Sequence, residues 1–109
     1  MLSRKSLDSH ILELRRGAIV VVVLSCLQEE RYGYSLRQKL SEAGLEVSEG
    51  TLYPLMRRLE DQGYLGSEWR VAGNRPRRYY KITPLGIKAL EMLTLEWRSL
   101  VQATESLLG

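Results

Sequence analysis

The sequence predicts a mainly α fold with one small β-hairpin and a long C-terminal helix. Three observations carry this reading. Leu52, Leu55, Met56 and Leu59 form an apolar stripe at helical spacing, stopped at Gly63. Two strand-like runs, Tyr64–Val71 and Arg77–Thr83, flank turn-forming Gly73-Asn74. Leu90, Leu93, Trp97, Leu100, Thr104 and Leu107 then follow a 3-4-3-4-3 spacing, a heptad-like seam.

The 109 residues suit one domain. A chain of this size buries about 65% of its unfolded surface, so a real core can form. With no Phe, that core must come from Leu, Val, Ile and Tyr. Net charge is only +3. Its distribution is more telling: five of the 16 basic side chains fall between Trp69 and Lys81, a stretch without a carboxylate. A concentrated patch implies a docking face rather than a basic tail. Cys26 is the single cysteine and sits in an apolar run. It reads as a small buried hydrophobe rather than a redox sensor. The Ala18–Leu24 run is too short to cross a bilayer and badly placed for a signal peptide. Cytoplasmic location is the resulting expectation, with no membrane partner.

In chain order, residues 1–8 lack periodicity and are expected to fray. From about Ser9 to Glu30, Ile11, Leu12, Leu14, Ala18 and Ile19 recur at helical spacing. Val20–Val23 look strand-like locally, but length and flanks favour a helix central to the core. Gly33 punctuates. A second helix runs from about Tyr34 to Ala43, with Gly44 as its C-terminal cap. Ser48 is the N-cap of the third helix. Pro54 lies inside that helix, either to shape an exposed face or simply as a kink. Thr83-Pro84 opens the last helix, an N-cap followed by proline at the first helical position.

On the third helix, Gly50, Pro54 and Arg57 lie opposite the apolar stripe, with Tyr53 and Arg58 on its shoulders. This face is either ordinary solvated surface or fit for a DNA major groove. In the second case Arg57 bonds guanine or a phosphate, and Thr51 and Tyr53 reach phosphates, a thymine methyl or sugar. Ser48 and the helix N-terminus suit a phosphate oxygen. In the hairpin, strand alternation puts Arg78 and Tyr80 on one face, Tyr79 and Lys81 on the other. One tyrosine should pack inward. Arg75, Arg77 and Arg78 have no nearby acid in sequence and so favour phosphates or a minor groove. The plain alternative is an edge strand kept soluble by charge. Trp69 is placed in the core. A helix of this size beside a positive two-stranded flap is how a winged helix-turn-helix meets duplex DNA.

These residues also resemble a known family. The run GTLYPLMRRLEDQGYL, then Trp69, then RPRRYYKIT and a proline-started helix, together with GYSLRQKL, is similar to the PadR family of bacterial transcriptional regulators. The similarity extends from about Leu12 to the C-terminus and fits the short subgroup with a single C-terminal helix. It implies a winged helix-turn-helix over 1–83 and a dimerisation helix over 84–109, in one compact unit. It also implies a homodimer on a two-fold symmetric double-stranded operator, and repression relieved by a small aromatic or phenolic effector. By motif position, DNA-contacting roles fall on Tyr34, Ser48, Thr51, Tyr53, Pro54, Arg57, Arg75, Arg77 and Arg78. Many relatives have a Gly-rich wing tip where this chain has Asn74-Arg75.

The seam supports dimerisation independently, because a helix hanging off a small domain needs another copy to bury its stripe. Trp97 reads as an interface anchor, or as a wall for a flat aromatic ligand. No cofactor or metal is expected. An enzyme is disfavoured: His10 and Cys26 stand alone, and Glu60 and Asp61 read as helix-end charges rather than a catalytic pair. The competing function is a winged-helix protein-interaction module that no longer reads DNA.

Overall fold

The computed structural model describes residues 3–109. Helix α1 spans Arg4–Cys26. It starts earlier than the expected Ser9, because Ser3 Oγ accepts the Ser6 N–H at 3.3 Å and Arg4 pairs with Asp8 one turn on at 3.1 Å. Of the stretch expected to fray, residues 1 and 2 lie outside the described residues, and the rest is capped helix. The helix also ends short of Glu30. Leu27 is fully buried, and its carbonyl accepts the Ile82 N–H at 2.8 Å, so the chain turns there.

A short strand follows that local sequence did not suggest: β1, Arg31–Tyr32. Its register is Arg31 opposite Tyr80 and Tyr32 opposite Tyr79, antiparallel. Two residues carry no periodicity of their own. They become a strand because β3 (Arg75–Ile82) offers them a free edge. Strand β2 (Leu65–Ala72) pairs with the other edge, so the sheet order is β1-β3-β2.

Helix α2 covers Gly33–Glu42 and α3 covers Glu49–Asp61. Gly44, at φ +90°, lets the Leu45 N–H reach back to the Leu40 carbonyl at 2.8 Å. Gly63, at φ +85°, ends α3 the same way, with Tyr64 N–H on the Leu59 carbonyl at 2.9 Å. Ser48 Oγ caps α3 by accepting the Thr51 N–H at 3.3 Å. The apolar stripe Leu52, Leu55, Met56 and Leu59 is buried, as its spacing predicts. It packs with Val23, Leu24, Leu27, Leu36, Leu40, Leu65, Tyr80 and Ile82 in one core. Val20, Val21 and Val22 pack against this core half-buried. No helix among the described residues is long and apolar enough to cross a membrane.

Helix α4 runs Pro84–Leu108, with only Gly86 and Leu90 buried. Its base is fixed by Thr83. The Thr83 hydroxyl donates to the Gly63 carbonyl at 2.6 Å and accepts the Gly86 N–H at 3.0 Å. One side chain thus ties the end of α3 to the start of α4. Thr83→Ala is expected to lower stability by about 1–2 kcal/mol, since a cap and a second hydrogen bond go together. Urea unfolding of the two proteins, with an unchanged m-value, checks this. A loss below about 0.3 kcal/mol would mean that water replaces both bonds without penalty.

Candidate nucleic-acid interface

The apolar stripe of α3 points its opposite face outward. Thr51, Pro54 and Arg57 are all exposed there, and Tyr53 is half-buried. Tyr34 stands 60% exposed on the first turn of α2. The Tyr53 ring lies against Gly33: a Cβ on that glycine would sit 2.6 Å from Tyr53 Cε1. Absence of a side chain at residue 33 therefore lets α2 and α3 meet through Tyr53.

Between this helix pair and the β2–β3 hairpin lies a cleft of about 460 Å³. Tyr34, Tyr53, Arg57, Arg75, Arg77 and Arg78 all line it. The fold thus brings together residues spread over forty-five positions of sequence. Thr51 and Pro54 instead line a neighbouring cleft of about 360 Å³ against Leu12 and Arg16 of α1. Ser48 is exposed at the N-terminus of α3, where its hydroxyl also donates to Thr51 Oγ1 at 3.1 Å.

The hairpin arginines are not equivalent. The alternation holds: Tyr80 is buried, while Tyr79 on the opposite face is half-buried. Arg78 extends toward α3. Its Nη2 donates to Glu60 Oε1 and its Nε to Ser67 Oγ, both at 2.9 Å. Arg70, on the other face, bonds both oxygens of Glu30 and also Glu68. The expectation that the hairpin has no nearby acid is therefore corrected. Its acids arrive through the fold, 18 and 40 positions away in sequence, with Glu68 just outside the acid-free stretch. Among the described residues, Arg57, Arg75 and Arg77 make no ion pair. Arg77 lies over the Tyr32 ring at 4.5 Å, and Tyr32 meets Tyr79 edge-on at 5.5 Å. A guanidinium stacked on a ring keeps its donors for another partner.

Trp69 is 64% exposed, against its expected place in the core. The register explains the difference. Among the described residues, the sheet reaches the core only at Leu65, Tyr80 and Ile82. Trp69 pairs with Arg78, further out, and the Arg78 guanidinium covers one side of its ring at 5.8 Å. Tyr32, Gly33 and Trp69 also line the cleft, and the sequence reading did not select them for it. The aromatic character of the segment was the available signal.

Hydrogen bonding by Arg70 holds the Glu30 carboxyl below the ordinary carboxylate range. Burial pushes the Tyr80 hydroxyl up, and the nearby Arg78 opposes this. Burial likewise raises the Cys26 thiol despite Arg31 and Lys39 nearby. Cys26 is half-buried rather than fully enclosed, and its raised value suits an inert thiol.

On α4, Leu90 is 8% exposed and belongs to the chain's own core, which corrects its place in the seam. It lies within two turns of the helix base, where the domain still reaches it. Beyond it Leu93, Trp97, Leu100 and Leu107 are exposed. Thr104 is exposed too and bonds the Leu100 carbonyl of its own helix at 2.7 Å.

Comparison with known proteins agrees with this architecture. Residues 23–92 match the model of the transcriptional regulator PadR-like family. The chain is 42% identical over 98 residues to the transcriptional regulator Rv3488 of Mycobacterium tuberculosis, covering 89% of each. A crystal structure of a PadR family transcriptional regulator from Eggerthella lenta is 45% identical, with a TM-score of 0.87 over 95% of this chain and 93% of that one. A PadR-like transcription factor from Bacteroides fragilis is 35% identical, with a TM-score of 0.76 over 92% and 99%.

Proposed function

The chain belongs to the PadR-like family of transcriptional regulators, and from that premise we propose that it is a homodimeric DNA-binding repressor released by a small aromatic ligand. Members of this family are regulators rather than enzymes. The observation that carries the DNA reading is the common cleft of α3 and the hairpin. There Arg57 faces out from α3 while Arg75 and Arg77, which make no ion pair among the described residues, stand opposite it. In this reading residues 1–83 form the reading unit and 84–109 the dimerisation helix. The major groove takes α3, with Arg57 on a base edge and Ser48, Thr51 and Tyr53 on the backbone. Pro54 shapes the exposed face, and Tyr34 adds a contact from α2. Arg75 and Arg77 take phosphates or enter the minor groove.

The exposed apolar side of α4 supports dimerisation. Leu93, Trp97 and Leu100, flanked by Met92 and Leu95, are exposed in one chain. A second copy across a two-fold axis buries them and sets two α3 helices about 34 Å apart, one DNA turn. Trp97, 40% exposed, is both an anchor of that contact and a surface on which a flat ligand can stack. A ligand that favours a different helix spacing lowers DNA affinity only through that difference. Such a regulator works in the cytoplasm.

Fluorescence anisotropy on duplex DNA from the protein's own promoter region tests the proposal. Four wing cations per dimer, Arg75 and Arg77 twice, contribute a slope of about −3.6 to log K against log salt. Phosphate contacts from α3 steepen it. Binding no tighter than to random duplex would sink DNA reading in favour of a protein-interaction module. Sedimentation as a single chain at micromolar concentration would sink the dimer. Quenching of Trp fluorescence by phenolic compounds, lost in Trp97→Ala, is the expected effector signature.

A further inference from the structure

The outer half of the hairpin has almost nothing to rest on. Val71, Gly73, Asn74, Arg75 and Pro76 are exposed, and the sheet leaves the core beyond Tyr80. Two strands alone are marginal in water and free to tilt. Yet the hairpin is tied to its surroundings on both faces. On the outer face Arg70 grips Glu30 of the α1–β1 turn. On the inner face Glu60, in the last turn of α3, bonds both Arg78 and Ser67. Arg78 Nε also donates to Ser67, which closes a three-membered ring of contacts. The Arg78 guanidinium is further held between the Trp69 and Tyr80 rings, at 5.8 and 5.5 Å.

We propose that Glu60 is a positioning residue for DNA reading: through Arg78 and Ser67 it latches the wing to the end of the recognition helix and fixes the separation of Arg57 from Arg75 and Arg77. This rests on the DNA reading proposed above and changes the role of Arg78. Arg78 is part of the latch and not a phosphate ligand. The partners are partly withdrawn from water, with side-chain exposures of 24% for Glu60 and 36% for Arg78. A guanidinium with a carboxylate, a hydroxyl and two rings around it gives up much to leave them for DNA. The purpose of such a latch is rigidity. A wing free to tilt loses entropy on binding, whereas a pre-set wing does not.

A charge swap separates the latch from a phosphate contact. Arg78→Glu and Glu60→Arg each break the pair and are expected to weaken operator binding about tenfold. The double variant rebuilds the pair in reverse, with Ser67 able to donate or accept. It is expected to bind within about threefold of wild type, the residual loss coming from the vacated ring stack. Its salt slope should equal the wild-type slope. A phosphate-binding Arg78 gives the opposite result: no rescue, and a slope shallower by about 0.9 for each protomer. Either of those two findings overturns the latch. Ser67→Ala leaves every charge in place and is expected to fold. It should weaken operator binding about threefold with the slope unchanged, and unaltered affinity would also overturn the proposal. Wild-type protein that ignores its operator would defeat the DNA reading itself, a different failure from a swap that does not rescue.

Discussion

Replacing Arg57 with alanine is expected to remove most of the preference for the operator while leaving random-sequence binding nearly intact. Arg57 sits in the middle of α3, opposite Leu52, Leu55, Met56 and Leu59. It is exposed, lines the cleft, and makes no ion pair among the described residues. Its donors are therefore ready for a base edge. One bidentate arginine–guanine contact discriminates by about 1–3 kcal/mol, and a two-fold dimer makes it twice. The expected loss in specific affinity is about 2–6 kcal/mol, or roughly thirty- to twenty-thousand-fold. Competition anisotropy with operator and scrambled duplex reads the ratio directly. An equal loss on both duplexes, with a shallower salt slope, would assign Arg57 to a phosphate instead. No loss on either would take α3 out of the groove.

Gly86→Ala should be the most damaging small substitution in the scaffold. Gly86 is buried in the first turn of α4, and a Cβ there would lie 2.1 Å from the Tyr64 carbonyl oxygen and 2.7 Å from Ile82 Cγ1. The first obstacle is backbone, itself bonded to the Thr83 N–H at 3.0 Å, so it cannot swing aside. Alanine favours helix over glycine by about 1 kcal/mol. Forcing a methyl against fixed backbone costs about 3 kcal/mol, so packing outweighs propensity. The expected net loss is about 2 kcal/mol by urea unfolding, together with a displaced α4 and weakened self-association. An alanine variant as stable as the parent would show that the α4 base shifts freely, and α4 could not then set a defined spacing between two reading units.

Local chemistry made much of the fold legible. Gly44 and Gly63 end helices because they adopt φ values that other residues resist. Ser48 and Thr83 start helices because their oxygens reach backbone donors three residues ahead. The α3 stripe is buried because its spacing is that of one helix face. The same wheel put Arg57 outside, and alternation separated Tyr79 from Tyr80, with one of the two to pack inward; the buried one is Tyr80. These readings hold because each depends on residues within a turn or two of one another.

The misreadings share the opposite property. Strand β1 exists only because the edge of β3 lies beside it. Leu90 fell to the core and Trp69 out of it because burial depends on how far the rest of the domain reaches. Arg70 and Arg78 looked like free cations until folding delivered Glu30 and Glu60 to them. Short-range signals in the chain thus carry the family, the order of the four helices and the hairpin, the caps at Gly44, Ser48 and Thr83, and the apolar stripe of α3. Which wing arginines meet acidic partners, and how the wing meets α3, depends on the assembled fold. The reason is range: backbone caps and periodicity act over a few residues, whereas ion pairing and burial are settled between segments the chain brings together last.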